Sequence, residues 1–189
     1  MFFSGATLAV MARVILVGDT HMPRFGRQLP GPLVDELRDA DVIFHVGDIT
    51  DRFVLDLLRT FAPVEAVAGN NDSVELVAEL GLARVVEVDG LCFGLTHGHF
   101  ERGRTTPERA RRAFAEVDHP LDAICFGHSH IPLIERVDGL WLLNPGSPTD
   151  RRRQSNFSFM RVDTVGGEIR PRLVTYQQWR EPAVRTRKA

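Results

Sequence analysis

The sequence predicts an α/β protein in which two sheets pack together with helices outside. Three features carry that expectation. Near the start, three short apolar runs each lead into a glycine-containing polar motif and then a helical segment. Later the pattern changes to hairpins. Throughout, Asp, Asn or His recurs just past the end of a strand. A chain of 189 residues suits one domain, and with 43% of them apolar it can fill a substantial core.

Arg13–Val17 (RVILV) is an unalternated β-branched and aliphatic run, the pattern of a strand buried on both faces. A loop with Pro23, Gly26, Pro30 and Gly31 follows, then a helix over Pro32–Arg38. Asp41–Val46 reads as the second strand and Phe53–Arg59 as a short helix. Val64–Ala68 is the third strand, after which Ser73 starts a helix up to Leu80. Successive strand–helix units argue for right-handed crossovers and a parallel sheet. Ala83–Val88 and Leu91–Leu95 then form a hairpin over Asp89-Gly90. Thr106 as N-cap, with Pro107 at the first helical position, starts a helix to Val117. Leu121–Phe126 is another buried strand. Ile131–Val137 with Leu140–Leu143, over Asp138-Gly139, is a second hairpin. Phe157–Val162 with Glu168–Val174, turning at Gly166-Gly167, is a third. Residues 1–10 read as a loose extension, 11–176 as the domain and 177–189 as a tail expected to fray.

A net charge of -2 gives no global pull toward nucleic acid or membrane. Lys188 is the only lysine, an arginine bias that suits phosphate but that genome composition explains better. Cys92 and Cys125 lie within apolar runs and read as buried reduced thiols. The apolar stretch at the start is too short to span a bilayer, so the expected location is cytoplasmic.

Five of the seven histidines fall in the glycine-containing motifs GDTH (Gly18–His21), THGH (Thr96–His99) and GHSH (Gly127–His130). GDITD (Gly47–Asp51) and GNND (Gly69–Asp72) complete the series. Carboxylate, amide and imidazole groups beyond strand ends are the donor types that hold divalent metals in open sites. Asp19, His21, Asp48 and His130 can hold one ion, and Asp48, Asn70, His97 and His128 a second. A shared Asp48 suits a separation of about 3.5–4 Å in two-metal hydrolytic centres. GHSH follows a glycine and is expected to turn, so that His128 and His130 face different ions. His45, inside DVIFHV, reads as a strand or supporting residue, and His119 as surface. Asp51, His45 and Asp72 are candidates to orient ligand imidazoles, with helix capping the rival role for Asp72.

From about Met11 to Val174 the chain closely resembles the calcineurin-like metallophosphoesterase superfamily. The resemblance is nearest to its small bacterial and archaeal phosphodiesterases, relatives also of the retromer scaffold subunit. It rests on the five motifs and on NPGSPTD (Asn144–Asp150), all in the expected order. The resemblance implies a four-layer α/β/β/α sandwich of two mixed sheets and a dinuclear site, often manganese, with zinc, iron or nickel as alternatives. Larger members carry a histidine after the GN of the third motif, to protonate the leaving group. Asn71 stands there and lacks useful acidity, which leaves His99 as a candidate acid or phosphoryl-oxygen ligand.

The expected chemistry is attack on phosphorus by a hydroxide shared between the ions, in line with the leaving alkoxide. A phosphodiester is the first-choice substrate. A phosphomonoesterase acting on small nucleotide or sugar phosphates, and a metal-binding scaffold with negligible turnover, are the alternatives. Neither Arg102–Arg112 nor Arg151–Arg153 has the interleaved aromatics of a nucleic-acid surface. Unpaired sheet edges make a homo-oligomer plausible.

Overall fold

A computed structural model describes residues 11–178. The extension expected over 1–10, and all of the expected tail beyond residue 178, lie outside the described residues. The first half alternates as β1 (Arg13–Val17), α1 (Gly31–Leu37), β2 (Val42–Val46), α2 (Phe53–Arg59), β3 (Val64–Val67) and α3 (Val74–Leu80). The second half runs β4 (Ala83–Val88), β5 (Leu91–Thr96), α4 (Thr106–Arg112), β6 (Ala123–Cys125), β7 (Leu133–Val137), β8 (Leu140–Asn144), β9 (Phe157–Val165) and β10 (Glu168–Tyr176).

Both sheets have five strands and both are mixed. The first has the order β10-β9-β1-β2-β3, with β1, β2 and β3 parallel and β9 antiparallel to β1. The second has the order β4-β5-β6-β8-β7, its three central strands parallel and its edges closed by hairpins. The third hairpin therefore extends the first sheet, a placement that its own turn chemistry could not specify.

Alternation along each strand sorts the core into layers. Ile15 and Val17 of β1, Ile43 of β2 and Ala66 of β3 pack under Leu33, Leu37, Leu55 and Leu76 of the three early helices. Val14, Leu16, Phe44 and Val67 point the other way, against Phe93, Leu95, Ala123 and Cys125 of the second sheet. On that sheet's far face Ile124 and Leu142 meet Ala110 of α4 and Phe114 beyond it. These four layers are the expected α/β/β/α sandwich. Cys125 is buried, Cys92 is only half-buried, and both are free thiols.

Two expectations for α4 need correction. Thr105, not Thr106, is its N-cap, accepting from Glu108 N–H at 3.3 Å, and Pro107 stands at the second helical position. The helix ends at Arg112 rather than Val117. Beyond Ala113 the backbone donates three residues back instead of four (Phe114 to Arg111, Ala115 to Arg112, Val117 to Phe114), which is a tighter 3₁₀-type turn. Among the described residues no helix is long and apolar enough to cross a membrane.

Candidate metal centre

Strands β1, β2, β3, β5 and β6 deliver their five motifs to one end of the sandwich. Backbone bonds lace the first two motifs together: Asp19 N–H donates to the Gly47 carbonyl at 2.9 Å and His21 N–H to the Asp48 carbonyl at 3.0 Å. Asp19, His21, Asp48, Thr50, His128 and His130 all have positive φ, between 45° and 71°. Non-glycine residues adopt this region rarely, and here it recurs at alternate positions where strands turn into loops. Glycines of the motifs make room. A Cβ on Gly69 would collide with the Asp48 carboxylate, and one on Gly127 would sit 2.9 Å from Asp19 Oδ2.

The side chains converge in two groups, Asp19 with His21 and His130, and Asp19 with Asp48 and His97, each able to present ligand atoms within 4.8 Å of one another. His130 Nε2 lies 3.2 Å from both Asp19 Oδ1 and His21 Nε2. Asp48 faces both ways, with Oδ2 at 3.4 Å from His21 Nε2 and Oδ1 at 3.4 Å from His97 Nε2. His128 and Asn70 stand beside the second group, joined by a 2.8 Å bond from His128 Nδ1 to Asn70 Oδ1, with the His128 ring 5.1 Å from that of His97. The two histidines of GHSH thus lie toward different groups, His130 beside Asp19 and His21 and His128 beside His97.

Imidazole orientation is set from behind. His97 Nδ1 donates to the Val46 carbonyl at 2.7 Å and His130 Nδ1 to the Asp150 carbonyl at 2.6 Å, which leaves each Nε2 lone pair facing the centre. His97 Nε2 and Asp19 Oδ2 are buried without a hydrogen-bond partner. Buried orphan lone pairs are costly, and their presence on two residues of the ligand groups suits a cation. The local field agrees. Burial alone would lower the proton affinity of His97, yet Asp48 and Asp19 beside it raise it. Burial raises Asp48, but His97 and the two Asn71 N–H donors outweigh this and hold it below the usual carboxylate range. Burial and neighbouring His97 push His128 down to about 4, so it is neutral and free to coordinate at neutral pH. This donor set, oxygen and imidazole with no thiolate, fits divalent metals.

Several supporting roles differ from those the motifs suggest. Asn71 contacts the centre, its backbone N–H and side-chain amide donating to the two oxygens of Asp48 at 2.8 and 2.7 Å. Asp72 neither caps α3 nor touches an imidazole. It accepts from Thr50 N–H at 2.6 Å and Gly69 N–H at 2.7 Å, tying the second motif to the third, while Ser73 caps the helix. Asp51 accepts from Phe53 N–H at 3.0 Å at the start of α2. His45 is buried in β2 and meets Thr20 Oγ1 at 3.1 Å, and His119 is exposed, both as expected. His99 is half-buried, its ring 5.3 Å from His97 and 6.2 Å from His128. Arg109 braces the loop behind it, donating to the Gly98 and Gly103 carbonyls.

The NPGSPTD segment has a larger structural part than its residue types announce. Ser147 Oγ donates to the Asp19 carbonyl at 2.8 Å, and Thr149 Oγ1 to the Thr20 carbonyl at 2.5 Å. Asn144 Nδ2 donates to the Gly127 carbonyl at 2.9 Å. The segment thereby clamps the first and fifth motifs together. Its hydroxyls and amide were the available signal, but the partners of the two hydroxyls lie more than a hundred residues away in the first motif. Beside His21 a cleft of about 400 Å³ opens, lined also by Pro23, Arg24, Arg27, Thr50 and Asn71.

A four-layer sandwich with two such ligand groups at its strand ends defines a metallophosphoesterase. Residues 12–167 match the calcineurin-like phosphoesterase superfamily domain, and the chain belongs to that superfamily. It is 35% identical over 150 residues to a probable metallophosphoesterase of Methanothermobacter thermautotrophicus, covering 78% of this chain and 84% of that one. A phosphodiesterase of Methanocaldococcus jannaschii is 25% identical over 148 residues, with 71% and 82% covered. Among solved structures, wild-type Vps29 of Entamoeba histolytica complexed with zinc shares the fold at a TM-score of 0.67 and 24% identity, covering 86% of this chain and 98% of that one. Membership makes the chain a hydrolase acting on phosphate esters with divalent metal. Asp19, His21, Asp48, His97 and His130 are its candidate ligand groups.

Proposed function

We propose that the protein is a phosphodiesterase working through a dinuclear centre, with manganese as its metal. One observation carries this reading: Asp48 turns one oxygen to His21 and the other to His97, standing between the two ligand groups. Asp19, His21, Asp48 and His130 would hold one ion, and Asp48, Asn70, His97 and His128 the other. When bound, such a pair supplies an ionised water at neutral pH and offsets charge growing on the phosphoryl oxygens.

The chain's own residues supply position and charge. The Val46 and Asp150 carbonyls hold His97 and His130 in one tautomer, and Asn71 keeps Asp48 ionised and in place. His99 lies beside His97 and His128, and burial with the neighbouring His97 lowers its proton affinity. A group that is neutral at working pH is a poor acid but still offers an N–H. His99 is therefore assigned to donate a hydrogen bond to a phosphoryl oxygen. A diester is favoured because Asn71 occupies the place of an acidic histidine and because a relative bears the name phosphodiesterase.

The test compares bis(p-nitrophenyl) phosphate with p-nitrophenyl phosphate, after chelation and after return of manganese. Hydrolysis should vanish on chelation, return with about two ions per chain, and favour the diester. Full activity without metal, or a preference for the monoester, would overturn the reading. His99→Ala should slow aryl diesters with good and poor leaving groups alike. A second reading, a scaffold with little turnover, draws on exposed Phe100 and Ile131, which follow His99 and His130. Metal binding with no hydrolysis of either compound would favour it.

A further inference from the structure

We propose that the cleft beside His21 binds a second anionic group of the substrate, so that the diester split at the metal centre carries a further phosphate held by Arg24 and Arg27. The inference rests on the phosphodiesterase reading and names its substrate class.

The cleft begins at a ligand residue. Its walls are His21, Pro23, Arg24, Arg27, Thr50 and Asn71, and about 400 Å³ is within the range of small-molecule sites. One wall is therefore the centre itself, through His21, and through Asn71 bonded to Asp48. Arg24 and Arg27 line the same cleft. Arg24 is placed by its neighbours: its guanidinium lies over the Phe25 ring at 5.2 Å, and that ring meets His21 edge-on with centroids 6.2 Å apart. The guanidinium is thus no farther from the His21 ring than these two short steps combined.

Stacking engages only the face of a guanidinium. Its five N–H donors lie in the plane and remain available for a bidentate contact with phosphate. Among the described residues Arg24 makes no ion pair, unlike Arg13, Arg52, Arg84, Arg161 and Arg172, each matched to a carboxylate. Arg27 lines this cleft and the adjoining one, where Asp51 contributes the acidic wall. The distal anion is accordingly placed between Arg24 and Arg27, short of Asp51. Pro23 offers an apolar surface to the part of the substrate that joins the two phosphates.

The experiment uses two substrates with one leaving group, p-nitrophenyl thymidine 5′-phosphate and its 3′-phosphorylated counterpart, with the manganese-loaded protein. The 3′-phosphate should raise kcat/KM about tenfold, the scale of one good charge-assisted contact. The Arg24→Ala and Arg27→Ala double variant should bring that ratio to about one. Ionic strength near 1 M, where the Debye length is about 3 Å, should compress it in the unaltered protein. A ratio of one in the unaltered protein, or a ratio untouched in the double variant, overturns the inference. Calorimetric titration separates it from the catalytic reading. Thymidine 3′,5′-bisphosphate should bind about tenfold more tightly than thymidine 5′-monophosphate, through the same arginines. That gap without turnover would sink the phosphodiesterase reading and keep the anion site. Turnover of both diesters without the gap would sink the anion site alone.

Discussion

The two ends of the sandwich enclose comparable space, about 400 Å³ beside His21 and about 330 Å³ among Leu91, Asp122, Arg136, Trp141 and Ile169. They differ in what their loops do with positive φ. At the hairpin end the left-handed residues are Asp89-Gly90, Asp138-Gly139 and Gly166-Gly167, types that accept that conformation at little cost. At the motif end they include three histidines and the β-branched Thr50, for which it is strained. Arg136 at the hairpin end is satisfied, its guanidinium over Trp141 and its Nε donating to the Gly139 carbonyl. At the motif end Asp19 Oδ2 and His97 Nε2 are buried and unsatisfied. Volume alone does not separate the two cavities. Stored strain and orphaned ligand atoms do.

The largest expected effect breaks this contrast directly. Asp48→Asn removes the charge that stands between the ligand groups while keeping the shape. Diester hydrolysis at saturating metal should fall by more than about a hundredfold, with circular dichroism and Tm showing a folded protein. Arg136→Ala at the other end should leave kcat/KM within about twofold. Near-normal turnover of the Asp48 variant would end the case for the motif end.

A smaller effect is expected at Asn71. Its alanine variant loses one of two donors to Asp48 but keeps the backbone N–H. Manganese affinity should drop by about 10–100-fold, read from metal titration of activity or by calorimetry. Unchanged affinity would mean that Asp48 is held by the backbone alone.

The mildest change sharpens the comparison in stability. Burial pushes His45 down to about 3 from 6.5, so the folded protein keeps it neutral while the unfolded chain takes up a proton near 6.5. Stability from this group is present above about pH 6.5 and is lost as pH falls toward 3, by up to about 1.4 kcal/mol per pH unit. His45→Gln retains a partner for Thr20 and should flatten that slope in urea unfolding of metal-free protein between about pH 7 and 5. An identical slope would assign the acid sensitivity to other groups.

The buried runs RVILV and DVIFHV were legible because a strand covered on both faces has no polar alternation to maintain. The motifs were legible because each stands directly after such a run. The role of Asp72 was not, since an aspartate before Ser73 has the same local signature whether it caps a helix or bridges two loops. Nor was the α4 cap, where Thr105 and Thr106 are chemically equivalent and only the backbone conformation distinguishes them.

The amino-acid order by itself determined which segments are buried, how strands and helices follow one another, and which side chains can ligate a metal. These depend on periods of two or 3.6 residues and on donor chemistry, both local properties. Only the tertiary structure decided that the third hairpin joins the first sheet. Only it decided that Asp48 faces both His21 and His97, and that the Asp150 carbonyl orients His130. Those outcomes bring together groups as distant as His21 and His130, 109 positions apart. They also require positive φ at histidine and threonine, conformations that packing imposes against local preference.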